Sequence, residues 1–281
     1  MGKLEPAVKW SGSKRTQAPD ICKYITTEYD TYYELFCGGC SMLFYILNNY
    51  PNKFKRYVCN DINEPLIQLY KLIKTNYKEV QRSYEILWRE LNKDGDLERK
   101  KKFFSRARES FNKNHDPRVF FFIMRTTTNG MPRYNSAGEF NNSFHVTRNG
   151  MNPERTEKIL KEWSTLLNLY DIQFYSRSYE EFKPKENDLL YLDPPYANTK
   201  GMYYGTIDYE VLWQFLKNVE ADWLLSFDGI AGTEDNTVKI PKIYNEHVYL
   251  NSGNSSFRRV IGKSKDTQVQ ESLYIKMKER K

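Results

Sequence analysis

Short apolar runs alternate with longer helix-period patterns along this chain. Tyr32 to Phe36 form a short aromatic strand candidate that ends at once in Cys37-Gly38-Gly39-Cys40-Ser41. A helix is expected next, with Met42, Leu43, Tyr45, Ile46 and Leu47 on its buried face. A second strand, Arg56 to Cys59, runs into Asn60-Asp61, and Pro65 then opens a helix carrying Leu66, Ile67, Leu69, Tyr70 and Ile73. Further strands are predicted at Ile172 to Tyr175, Asp188 to Leu192 and Trp223 to Phe227, with Ser272 to Lys276 as a final edge strand. Strands alternating with helices predict an α/β fold built on a mostly parallel, doubly wound sheet.

Between residues 75 and 170 the pattern changes. Charge rises, with Lys100-Lys101-Lys102 and Arg106 to Arg108 in one stretch. An apolar helical run at Val119 to Met124 leads to Arg125-Thr126-Thr127-Thr128-Asn129-Gly130-Met131-Pro132-Arg133-Tyr134-Asn135. Ser136-Ala137-Gly138 reads as a hairpin tip between Arg133–Asn135 and Glu139–Asn141. Residues 75–170 are therefore expected to be an insertion, mainly helical with a β-hairpin, in a domain made of residues 1–74 and 171–281.

Composition changes this picture modestly. The chain has 281 residues, 40% hydrophobic, enough for a sizeable core, and a formal net charge of +7. Aromatics reach 15%, and rings mixed with Lys and Arg suit stacking on bases along a phosphate backbone, although a ring-rich core accounts for most of them. The Lys100–Arg108 cluster fits a solvated helix face better than direct phosphate contact. Cys37 and Cys40 form a C-x-x-C with no second pair and no His cluster, so no metal site is expected. The four cysteines imply no disulfide framework. With no apolar leader and no apolar run of membrane-spanning length, a soluble cytoplasmic protein is expected.

In doubly wound sheets the ligand sits beyond the carboxyl ends of the strands, near the switch in strand order. Candidate chemistry lies at such ends. Gly38 and Gly39 let a backbone turn tightly against a ligand, though a simple tight turn accounts for them equally well. Asp61 stands where an acidic residue binds ribose hydroxyls; a helix N-cap at Asp61 or Asn63 is an equal reading. The specific signal is Asp193-Pro194-Pro195-Tyr196 after the apolar Leu189-Leu190-Tyr191-Leu192. Two prolines fix the backbone and remove two donors, so a carboxylate stands beside aimed carbonyls as an acceptor surface for an NH₂ group. Tyr196 adds a flat ring for stacking.

D-P-P-Y after a buried strand, with F-x-G-G upstream, resembles the signature of amino-methyltransferases. The order of motifs narrows this. Lys9-Trp10-Ser11-Gly12-Ser13-Lys14 resembles the K-W-x-G-x-K opening of the Dam-type (D12 class, alpha-order) DNA adenine-N6 methyltransferases. Asn60 through Ile67 matches that family's N-D-x-x-x-x-L-I, and Asn129 through Asn141 its N-G-x-x-R-x-N-x-x-G-x-F-N recognition hairpin. The resemblance runs from Lys9 to at least Tyr196. It implies a Rossmann-like methyltransferase sheet, S-adenosyl-L-methionine as cofactor with S-adenosyl-L-homocysteine as product, and double-stranded DNA as partner. It also implies transfer to the N6 amine of an adenine flipped out of the duplex. Trp10, Lys14, Phe36, Gly38, Gly39, Asp61 and Tyr179 would line the cofactor, with Lys14 near the methionine carboxylate. Asp193, Pro194, Pro195 and Tyr196 would hold the target base, while Met131, Arg133 and Asn135 would face the DNA and Arg133 would read a guanine.

The chain departs from the family at Cys40, often a third glycine there, and at Asn142-Ser143-Phe144-His145, where members that methylate GATC commonly read V-P-F-G. The second departure bears on the site recognised. Cytosine N4, an RNA base, or an inactive DNA-binding relative remain open as alternatives. So do a monomer or a DNA-bound dimer, and a place in a phage, a restriction system or a host.

Overall fold

The structure, a computed structural model, describes residues 5–196, 207–254 and 268–278. In chain order its elements are α1 (Ala18–Ile21), β1 (Tyr29–Glu34), α2 (Ser41–Asn49), β2 (Phe54–Asn60), α3 (Glu64–Leu91), α4 (Leu97–Asn114), α5 (Pro117–Thr126), α6 (Pro153–Leu169), β3 (Ile172–Tyr175), β4 (Leu189–Leu192), α7 (Tyr209–Asn218), β5 (Asp222–Ala231), β6 (Glu234–Asp235), β7 (Glu246–Asn254) and β8 (Gln268–Lys276). The chain divides into two compact units, one of residues 1–12, 61–176 and 201–205, the other of residues 13–60, 177–200 and 206–281.

The second unit carries the sheet order β2-β1-β4-β5-β8-β7, with β6 paired to β5. β1 pairs in parallel with β2 and β4, and β4 with β5. β8 is antiparallel to both β5 and β7. This is the Rossmann-like α/β arrangement that the motifs imply. All four residues of β4 are buried, as an inner parallel strand covered on both faces requires. Strand order reverses between β1 and β4, so the loops after these two strands flank the crevice where such sheets bind ligands. The expected edge strand at Ser272 to Lys276 is instead interior: β7, whose strand-favouring run is confined to Val248-Tyr249-Leu250, closes the sheet outside it.

The first unit is mainly helical. Asn63 caps α3 by accepting from Leu66 N at 3.1 Å, with Pro65 in the first turn. α3 bends at Asn76, whose φ of −154° and ψ of 67° leave the helical range. Asp116 caps α5, and Phe120 through Met124 are buried where α5 packs on α3 and α4. α6 packs on α3, stacking Trp163 on Tyr70 at 5.7 Å. Lys101, Lys102 and Arg106 on α4 are exposed, whereas Lys100 is buried. Among the described residues, no helix is long and apolar enough to cross a membrane.

Candidate active site

Leaving β1, the chain turns through Leu35 to Cys40. Gly38 takes a φ of +43° and Cys40 a φ of +52°, a left-handed region open to glycine and costly for a side chain. Cys37 N donates to Asn60 O at 2.9 Å, and Asn60 Nδ2 donates to Leu35 O at 3.1 Å and Arg177 O at 3.0 Å. Asn60 thus ties the glycine loop to the segment that presents Tyr179. The Tyr179 ring lies 5.3 Å from Phe36 and 5.3 Å, edge on, from Phe215. Burial, then the neighbouring Glu180 and Asp208, push the Tyr179 hydroxyl up to about 12. All four cysteines are buried free thiols.

At the end of β4, Asp193 meets Lys14. Lys14 N donates to Ser41 Oγ at 3.0 Å, which places Lys14 beside the start of α2. Its ammonium lies 2.8 Å from Asp193 Oδ1 and 3.1 Å from Glu271 Oε2, with the lysine side chain 5% exposed. Burial opposes the lysine charge, but Asp193 and Glu271 outweigh it and hold its pKa above the ordinary value. The Tyr196 hydroxyl lies 3.2 Å from Asp193 Oδ1 and donates to Glu271 Oε2 at 2.9 Å. Burial raises the Asp193 pKa; Lys14 lowers it and Glu271 raises it again. Tyr209 donates to the Pro195 carbonyl at 3.0 Å, and the Tyr196 ring packs 5.8 Å from Phe227.

Glu271 is the member of this group that sequence reasoning missed. It comes from β8, where no motif surrounds it. Its place depends on Gly229: a Cβ there would stand 2.2 Å from Gln270 O and 2.9 Å from Glu271 Cα. The bulge in β5 between Phe227 and Ile230 falls at the same level.

Trp10 and Asp61 belong to the first unit. Trp10 is half-buried. Asp61 Oδ1 accepts from Asn63 N at 2.9 Å, so Asn63, not Asp61, caps α3. In the same unit Tyr134 bridges Phe140 antiparallel, and Asn141 N donates to Arg133 O at 2.9 Å, forming the expected hairpin. Asn135 Oδ1 accepts from Ala137 N at 3.0 Å and Glu139 N at 2.9 Å, an Asx-type turn that uses its side chain internally. Asn142, at the family departure, donates to Thr128 O at 2.9 Å and Met131 O at 3.0 Å and so braces the hairpin base. Arg133 is exposed and Met131 half-buried.

The sequence profile of the D12 class N6 adenine-specific DNA methyltransferases matches residues 10–251. The type II methyltransferase M.MjaIII of Methanocaldococcus jannaschii is 31% identical over 210 residues, 69% of this chain and 69% of that protein. The DNA adenine methylase of Escherichia coli (strain K12) is 31% identical over 204 residues, 70% of this chain and 66% of that protein. The chain thus spans about two thirds of the length of these relatives. Among solved structures, the rRNA methyltransferase aviRa from Streptomyces viridochromogenes is 8% identical at a TM-score of 0.42, covering 97% of this chain and 90% of that one, too distant a likeness to bear on substrate.

Proposed function

Because the chain belongs to the D12 class N6 adenine-specific DNA methyltransferase family, we propose that it transfers a methyl group from S-adenosyl-L-methionine to the N6 amine of an adenine flipped out of duplex DNA. The observation that carries this reading is the carboxylate of Asp193, held at the carboxyl end of β4 beside Tyr196 and Lys14.

The residues of the second unit suit the cofactor. Phe36, Tyr179 and Phe215 offer a ring wall for its purine. Two carboxylates against one ammonium leave negative charge for a sulfonium. When bound, the cofactor supplies a methyl group on a sulfonium that leaves as the thioether S-adenosyl-L-homocysteine. Gly38 and Gly39 give its methionine end close approach to the backbone. Trp10 and Asp61 take the roles the family motif assigns, Asp61 at the ribose. Lys14 stays beside the cofactor through Ser41, with its ammonium turned to Asp193.

The adenine amine is a poor nucleophile because its lone pair is delocalised into the ring. Asp193 and the Pro194 carbonyl accept its two N–H bonds, which localises the lone pair and stabilises the positive charge as the N–C bond forms and the C–S bond breaks. The surplus proton then leaves to Asp193 or to water; it is acidic by that stage, so Asp193 need not be a strong base. Alignment supplies much of the rest, on the order of 7–11 kcal/mol in well-oriented systems. Tyr196 stacks on the extruded base, whose flipping costs a few kcal/mol. Residues 75–170 carry the recognition function, with Met131, Arg133 and Asn135 at the DNA and Arg133 on a guanine. The recognition site is GATC or a relative of it, with Asn142 marking the difference.

The test is transfer of label from S-adenosyl-L-methionine to unmethylated duplex DNA, followed by nucleoside analysis. N6-methyladenine within a short motif is expected. Label in cytosine alone, or in RNA alone, would refute the acceptor named here.

A further inference from the structure

Asp193 is held from one side. Lys14 Nζ and the Tyr196 hydroxyl both approach Oδ1, at 2.8 Å and 3.2 Å, and among the described residues no hydrogen bond reaches Oδ2. Both of these groups are themselves held by Glu271, whose Oε2 lies 3.1 Å from the ammonium and 2.9 Å from the hydroxyl. An ammonium has three donors, and here two of them go to different carboxylates. The backbone under Glu271 is set by close approach to Gly229, which admits no side chain. We propose that Glu271 is a positioning residue for methyl transfer: through Lys14 and Tyr196 it fixes Asp193 by Oδ1, leaves Oδ2 to the target amine, and keeps the lysine from neutralising Asp193.

The chemistry explains why this matters. During transfer, positive charge moves from sulfur onto the amine nitrogen, towards Asp193. A carboxylate fully paired with an ammonium would stabilise that charge poorly. A second carboxylate that shares the ammonium restores the net negative charge at the acceptor, and in a largely buried site such charges act more strongly than in water. Without Glu271 the ammonium would rest on Asp193 alone, and the Tyr196 hydroxyl would lose its closer partner.

This inference rests on the methyl-transfer reading above, and the experiment separates the two. Wild type, Glu271→Gln and Glu271→Asp are compared by single-turnover methyl transfer to duplex DNA across pH 5 to 9, alongside S-adenosyl-L-homocysteine titrations. In Glu271→Gln the rate should fall roughly 10–100-fold, by analogy with residues that orient metal ligands from behind, with the affinity for S-adenosyl-L-homocysteine, which carries no sulfonium, little changed. The groups around Asp193 are Lys14, Glu271 on β8, Tyr196 on its own loop, Tyr191 on β4 and Glu34 on β1. Removing the Glu271 charge lets Asp193 ionise more readily, so the acid limb of the rate profile should move to lower pH. Glu271→Asp should leave the limb in place and restore most of the rate. A merely structural role would lower the melting temperature without moving the limb. Should Glu271→Gln not fold, Glu271→Thr, neutral and suited to a strand, carries the same test. An unmoved limb in the folded variant, or an unchanged rate in Glu271→Gln, overturns the proposal while transfer by the wild type stands. No transfer by the wild type overturns the reading and the proposal together.

Discussion

The rings of Phe36 and Tyr179 come within 5.3 Å of one another, tilted by 42°, although they leave β1 and β3 by separate loops. Asn60 joins those loops with side-chain hydrogen bonds in both directions. If the pair forms the wall against the cofactor purine, Tyr179→Ala should weaken S-adenosyl-L-homocysteine binding by about 0.5–1.5 kcal/mol beyond the area lost. Calorimetric titration reads this directly. Unchanged affinity would remove Tyr179 from the cofactor site.

Asp193→Ala should slow transfer by on the order of 10²–10³-fold, the usual effect of deleting one preorganised polar group at a reacting centre. Affinity for S-adenosyl-L-homocysteine, which carries no sulfonium charge, should hold, because Lys14 keeps Glu271 as a partner. Near-native turnover with normally bound cofactor would defeat the role given to this carboxylate.

Arg133 and Asn135 are two residues apart but should behave differently. Arg133→Ala should relax discrimination at one base by about 1–3 kcal/mol, the worth of an arginine–guanine contact. Asn135 holds the hairpin turn through Ala137 N and Glu139 N. Asn135→Ala should therefore lower the rate on every sequence, at a cost of roughly 0.5–2 kcal/mol in local order, as for a lost cap. Methylation of a randomised-site library distinguishes the two. A single-base change of preference in Asn135→Ala would show that it reads the DNA itself.

Glu34 is buried at the end of β1, accepting from Tyr32 Oη at 3.1 Å and Leu43 N at 2.9 Å. Burial, followed by unfavourable electrostatics with nearby Cys40, pushes its pKa well above the ordinary carboxylate range. The folded state therefore keeps this proton at pH values where the unfolded chain, with a pKa near ~4.3, has lost it. Stability from this group falls as pH rises from the unfolded value towards the folded one. Glu34→Gln should remove that dependence. Urea unfolding at pH 5 and pH 8 should show a smaller loss of stability in the variant than in the wild type; equal losses would count against a protonated Glu34.

Much of this architecture is legible in the residues. The glycines after β1, the D-P-P-Y after β4 and the hairpin tip at Ser136-Ala137-Gly138 are local signals, because tight turns and fixed backbones need particular residue types. Glu271 carries no such mark. It is an isolated acid between Gln270 and Ser272, and only the antiparallel pairing of β8 with β5 brings it to Asp193. The strand β7 is marked only briefly: Val248, Tyr249 and Leu250 favour a strand, but Asn251-Ser252-Gly253-Asn254 reads as a turn, and its pairing with β8 carries the rest. Asn135 shows the opposite limit, since a motif names a position without saying that its side chain closes a turn.

Lys14 and Glu271 are far apart in sequence, and β8 is inserted between two strands made before it. During synthesis, then, the acceptor site cannot assemble as its motifs emerge. Until β8 threads in, β5 presents an open edge, Tyr196 lacks its closer partner and Lys14 faces Asp193 alone. Such long-range closure is slow and leaves a pairing edge exposed meanwhile. A nascent or C-terminally clipped chain could therefore carry every recognisable motif and still hold its carboxylate muted by its own lysine.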